Sequence, residues 1–168
     1  MKKSLFLALC LVVATGLFLT GCGEKKVAEK AAEKAIEKST NGQADVDVDD
    51  KTITVNTNAG SWTAGEKVSL PAGFPSDVYV IDGTIKVATT IKENEAYSLS
   101  VESSKSVAEA KAEYEKDLAA DGWTINANVT VGEMFSLGAT KGDRTVNVTV
   151  GTTSEGKTQV TISTAKKS

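Results

Sequence analysis

The feature that most constrains this chain is a single change of hydrophobic period. From Thr84 onward apolar residues alternate with polar ones, as strands with one buried face require: Ile85, Val87 and Ile91, then Tyr97, Leu99 and Val101 after the Glu93-Asn94 turn. Between Ser106 and Gly122 the spacing becomes helical, with Val107, Ala110, Tyr114 and Leu118 on one face. Ser106 and Glu109 form a capping box, and Gly122 stands where a left-handed C-cap belongs, so the pattern predicts a helix over 107–120. Alternation then resumes through Trp123, Ile125, Val129 and Val131, through Phe135 and Leu137, through Val146, Val148 and Val150, and through Val160 and Ile162. Lys141-Gly142-Asp143 and Glu155-Gly156 supply turns. The order ββαββββ is that of an α+β domain, a twisted antiparallel sheet packed on one helix, over residues 84–168.

Upstream, residues 43–66 read as a β-hairpin, with Val46, Val48, Ile53 and Val55 on its apolar positions around Asp49-Asp50-Lys51 and Trp62 on the same apolar side. Residues 67–83 contain both prolines, Pro71 and Pro75, which bar a helix interior and predict an extended connector. Residues 24–38, EKKVAEKAAEKAIEK, are strong helix formers with a narrow alanine-rich stripe. They read as a helical tether over 22–42, a solvated spacer rather than a helix that docks on a partner or lies on lipid, because alanine buries little area.

The N-terminus carries Lys2 and Lys3, an apolar run from Leu5 to Leu19, and small residues before Cys22, the order of an export signal. The run falls short of the roughly 20 residues that span a bilayer core. The residues Leu19-Thr20-Gly21-Cys22 resemble the lipobox of bacterial lipoproteins. That resemblance implies cleavage after residue 21 and a diacylglyceryl group on the Cys22 sulfur, with palmitate-type chains holding the protein to a cell membrane or outer membrane, outside the cytoplasm. Taking 21 residues from 168 leaves 147, enough for one modest domain. Removing Lys2 and Lys3 from 19 basic residues leaves 17 against 22 acidic ones, or −5, and this acidic balance argues against nucleic-acid partners.

There is no histidine, and the two cysteines are Cys10 and Cys22. A mature chain beginning at Cys22 could therefore build no disulfide, Cys/His zinc site or Ser-His-Asp triad, and no cofactor motif is present. Asp45, Asp47 and Asp49 have the spacing that opens a calcium loop, but Asp50 replaces its glycine and Asn56 its bidentate glutamate. No metal is expected. Asp117, Asp121, Glu133 and Asp143 are the candidates by type for a carboxylate-dependent hydrolase acting on envelope glycans. No spacing pairs them, so no catalytic residue is assigned.

The tether, the aspartate-bearing hairpin, the stretch Leu70-Pro71-Ala72-Gly73-Phe74-Pro75-Ser76-Asp77-Val78 and the helix ending in Asp121-Gly122-Trp123 together resemble a set of small bacterial lipoproteins. The likeness spans most of the mature chain and implies architecture and location alone. In element order the C-terminal part is similar to the helix-grip domains of an outer-membrane β-barrel assembly lipoprotein. Opposite the apolar positions lie Ser98, Ser100, Thr124, Asn126, Asn128, Thr130, Ser136, Thr140, Thr145, Asn147, Thr149, Gln159, Thr161 and Ser163. Either threonine simply suits half-exposed strands, or this neutral face hydrogen-bonds an envelope protein or cell-wall glycan. The overall expectation is a non-enzymatic binding or structural module at a membrane surface.

Overall fold

The computed structural model describes residues 42–49 and 51–167, preceded by Glu33, Lys34 and Lys38. The expected export signal, Cys22 and most of the expected tether lie outside the described residues. The strands are β1 (Ala44–Val48), β2 (Thr52–Thr57), β3 (Gly60–Gly65), β4 (Thr84–Ile91) and β5 (Ala96–Ser103). Helix α1 (Val107–Ala120) follows, and then β6 (Thr124–Val131), β7 (Met134–Lys141), β8 (Arg144–Thr152) and β9 (Thr158–Lys166). All nine strands form one antiparallel sheet in the order β1-β2-β3-β4-β5-β9-β8-β7-β6, with α1 packed across β6, β7 and β8. This is the α+β architecture that the alternation predicts.

Helix α1 begins and ends where its sequence dictates. Glu109 N–H donates to Ser106 Oγ at 3.3 Å while Ser106 N–H donates to Glu109 Oε2 at 2.8 Å, the reciprocal cap. At the other end Gly122 has φ +81°, and Trp123 N–H reaches back to the Leu118 carbonyl at 2.9 Å. The helix buries Ala110, Tyr114 and Leu118, each 0 % exposed, against Leu137, Val146, Val148, Val160 and Ile162. Each buried Val, Leu or Ile side chain among these contributes on the order of 1.5–3 kcal/mol.

The connector over residues 67–83 completes this core. Val78 and Ile81 are buried in it, and Phe74 packs edge-on against Tyr97 with ring centroids 5.7 Å apart. Tyr114 Oη accepts the Ile81 N–H at 3.3 Å, and burial holds that phenol well above its ordinary pKa. Trp123 Nε1 donates to the Asp77 carbonyl at 2.6 Å. The Asp77 carboxylate accepts from Lys141 at 2.6 Å and from Arg144, whose guanidinium lies over the Trp123 ring. The two sequence motifs, Ser76-Asp77-Val78 and Asp121-Gly122-Trp123, thus meet as one clasp.

The hairpin at the N-terminal side gains a third strand, β3, which joins it to β4 without a break in the sheet. Its two glycines allow this approach. A Cβ at Gly60 would sit 1.9 Å from the Thr90 carbonyl oxygen, and one at Gly65 2.0 Å from that of Lys51. The register also reverses the sheet's apolar side. Val46 pairs with Val55, Val55 with Trp62, and Trp62 with Thr89, whose neighbour Ala88 pairs with buried Leu99. Because direct partners share a face and neighbours alternate, Val46, Val55 and Trp62 lie on the side away from α1. There Ala44, Val46 and Val55 form a second buried cluster. The helical residue Glu33 meets it, its carboxylate accepting the Val48 N–H at 3.1 Å.

Candidate functional site

The face of the sheet away from α1 carries the neutral polar side chains. One row crosses five strands by direct pairing: Trp62, Thr89, Ser98, Ser163 and Asn147. A second runs Ser100, Thr161, Thr149 and Ser136, and a third joins Thr145, Thr140 and Thr124. Among the described residues of β5, β7, β8 and β9 that share this face, the charged side chain is Glu102, at its margin and bonded to Lys157. Asn147, Thr149, Gln159 and Thr161 are exposed. Several groups bond across strands: Ser98 Oγ with Ser163 Oγ at 3.1 Å, Gln159 Nε2 to Ser100 Oγ at 2.9 Å, and Asn126 Nδ2 to Thr140 Oγ1 at 3.2 Å. Each hydroxyl keeps acceptor capacity beyond such a bond.

A shallow cleft of about 210 Å³ opens on this face, where Thr89, Ser98, Ser163, Asn147 and Thr145 meet the apolar Ile91, Ala96 and Ala165. Sequence reasoning missed Thr89 and Trp62 as parts of the row. Their alternation is visible, but only the β3–β4 pairing shows that it continues the row from β5.

Two predicted members of the face are corrected. Asn128 pairs with Leu137 and Thr130 with Phe135, which places both on the α1 side. Asn128 Nδ2 donates to Glu115 of the helix, and Lys111 Nζ donates to Thr130 Oγ1 at 3.4 Å. The cause is a bulge at Asn126, between Ile125 and Ala127, which shifts the pairing by one residue and so exchanges the two faces. Val129 and Val131, expected in the core, lie instead on the open face at 54 % and 64 % exposure, beside Met134. A similar irregularity between Ile85 and Val87 leaves Ile85 against the core and turns Val87 and Ile91 outward.

The four candidate carboxylates do not converge. Asp117 lies on α1 with Lys116 3.9 Å away, and Asp121 closes the helix with its carbonyl accepting from Lys141. Glu133 and Asp143 occupy turns at opposite ends of β7, roughly 25 Å apart at ordinary strand rise. Asp49 serves its own turn, its carboxylate accepting the N–H groups of Lys51 at 2.8 Å and Thr52 at 2.9 Å. Among the described residues no group of three potential metal ligands gathers.

A family described as START domain-like matches residues 85–166, the stretch from β4 to β9 that includes α1. That part of the chain is similar to such domains. No curated protein and no solved structure gives a significant match.

Proposed function

We propose that this protein is a non-enzymatic cell-envelope lipoprotein, anchored by acylated Cys22, that binds an envelope partner through the open face of its sheet. The observation that carries the reading is the neutrality of that face in a chain whose residues are 24 % charged. A surface of hydroxyls and amides exchanges water for a polar partner without the cost of stripping ions. The lipobox sequence supports the location. No helix among the described residues is long and apolar enough to cross a membrane.

The START domain-like match supports a ligand-binding module as well. Beneath α1, however, Tyr114, Leu118, Phe135 and Leu137 fill the space between helix and sheet at 0–1 % exposure, which favours the opposite face as the binding surface. The alternative, a hydrolase using Asp117, Asp121, Glu133 or Asp143, draws less support from residues spread over both ends of the molecule.

The test is retention on isolated cell wall and on immobilised envelope proteins. The wild type and an Ala112→Lys variant, altered on the exposed side of α1, should be retained, whereas an Asn147→Lys/Thr161→Lys double variant should pass through. Equal behaviour of all three, or no retention of any, would count against the proposal.

A further inference from the structure

We infer that the row from Trp62 to Asn147 is a groove for a neutral saccharide chain laid across the strands. This rests on the reading of the protein as an envelope-binding module and narrows its ligand to one chemical class. The row holds an indole, three hydroxyls and a primary amide in consecutive cross-strand positions. Strands lie roughly 4.8 Å apart, so the four steps from Trp62 to Asn147 cover about 19 Å, the reach of a short oligosaccharide.

Its chemistry selects against other ligands. Without a cation on the row, a phosphate or carboxylate has no counter-charge, and without an anion a basic peptide has none. Thr89 offers one donor and two acceptor positions, the mutually bonded Ser98–Ser163 pair keeps one donor and three acceptor positions, and Asn147 offers both kinds, which suits a ligand rich in hydroxyl and amide groups. Trp62 packs against the second apolar cluster at the end of the row, and the part of its indole that stays exposed would meet the apolar face of a sugar ring. Ile91, Ala96 and Ala165 supply further apolar contact within the cleft. At about 210 Å³ the cleft is smaller than the roughly 300 Å³ at which enclosed small-molecule pockets begin, as expected of an open groove that binds an extended chain weakly. A protein partner would want a buried apolar centre of aromatic or long aliphatic side chains, and Ile91 is the one large exposed hydrophobe in the cleft.

The experiment uses the protein extracted from membranes in a detergent without a sugar headgroup, titrated with soluble tetra-N-acetylchitotetraose, a neutral β-1,4-linked oligomer. Trp62 is the reporter, because Trp123, the other tryptophan, is 3 % exposed and lies on the α1 side. Tryptophan emission should change saturably, with Kd in the range of about 0.1–10 mM. Trp62→Phe should remove the signal. Asn147→Ala should weaken binding roughly three- to tenfold, the loss expected for one net hydrogen bond, at unchanged thermal midpoint. No change in emission together with no shift of the Thr89, Ser98, Ser163 and Asn147 amide resonances would overturn the inference. So would shifts centred on Val129, Val131 and Met134. Envelope retention that depends on Asn147 and Thr161 without any response to the tetramer would overturn the saccharide assignment and leave the binding-module reading standing. Absence of both would remove both.

Discussion

At the scale of the residue, Asp77 shows how one side chain joins segments far apart in the chain. Its carboxylate accepts from Lys141 and Arg144, and its carbonyl accepts the Trp123 indole N–H. The hydrogen bond from Arg144, reinforced by Lys141, lowers its pKa from 3.8 to about 2 against the opposing effect of burial. A carboxylate with a depressed folded-state pKa stabilises the fold above its unfolded value. The contribution is therefore complete above about pH 4 and is lost as pH falls toward 2. The shift corresponds to an upper value of about 2 kcal/mol, since the side chain is 24 % exposed and partly screened. Urea unfolding at pH 7 should show Asp77→Asn destabilised by roughly 1–2 kcal/mol, with the gap to wild type closing by pH 2. A gap of equal size at both pH values would show that the carboxylate charge is not responsible. The sequence displays this aspartate inside a Pro/Gly connector, but its cationic partners stand 64 and 67 positions away and carry no local signature.

At the scale of the element, β6 carries the clearest lesson about reading faces from periodicity. Its alternation is regular, and Val129 and Val131 look like core residues. The bulge at Asn126 exchanges the faces, and no local rule announces it. Val131→Thr should change stability by less than about 0.5 kcal/mol in thermal or urea unfolding, as for any exposed site. A loss of 1–3 kcal/mol would mean that Val131 is packed. Helix α1, by contrast, is legible to its last residue, because Ser106, Glu109 and Gly122 act within a turn of the ends they define. Strand β3 is illegible for the opposite reason. Gly-Ser-Trp-Thr-Ala-Gly has the composition of a loop, and its glycines make sense only once the backbones of Thr90 and Lys51 are beside them. Most of the candidate site was readable, since Ser98, Asn147, Thr161 and Ser163 follow from strands whose partners keep phase. Asn128 and Thr130 were lost to the bulge, and Trp62 and Thr89 depended on a pairing that alternation cannot specify.

At the scale of the whole molecule, the proposed anchor and the described domain are close in sequence. Ten residues lie between Cys22 and Glu33, and the eleven steps span at most roughly 40 Å of extended chain. A lipid on Cys22 would hold the sheet near the bilayer, where the open face can meet wall or envelope material. Cys22→Ser should abolish palmitate incorporation and release the protein from the membrane fraction. Undiminished membrane retention of that variant would refute the anchor.

The stretch similar to START domains begins at residue 85, so β1, β2 and β3 extend the sheet beyond it. Without them β4 would offer a free row of backbone groups to any passing strand. Their presence moves that rim outward to β1, which carries Asp45 and Asp47 and whose Val48 N–H is already taken by Glu33. At the far rim the Asn126 bulge interrupts the flat edge of β6. Were copies concentrated on a membrane by the proposed anchor, such guarded rims would discourage edge-to-edge aggregation while leaving the polar face over β5, β9 and β8 open.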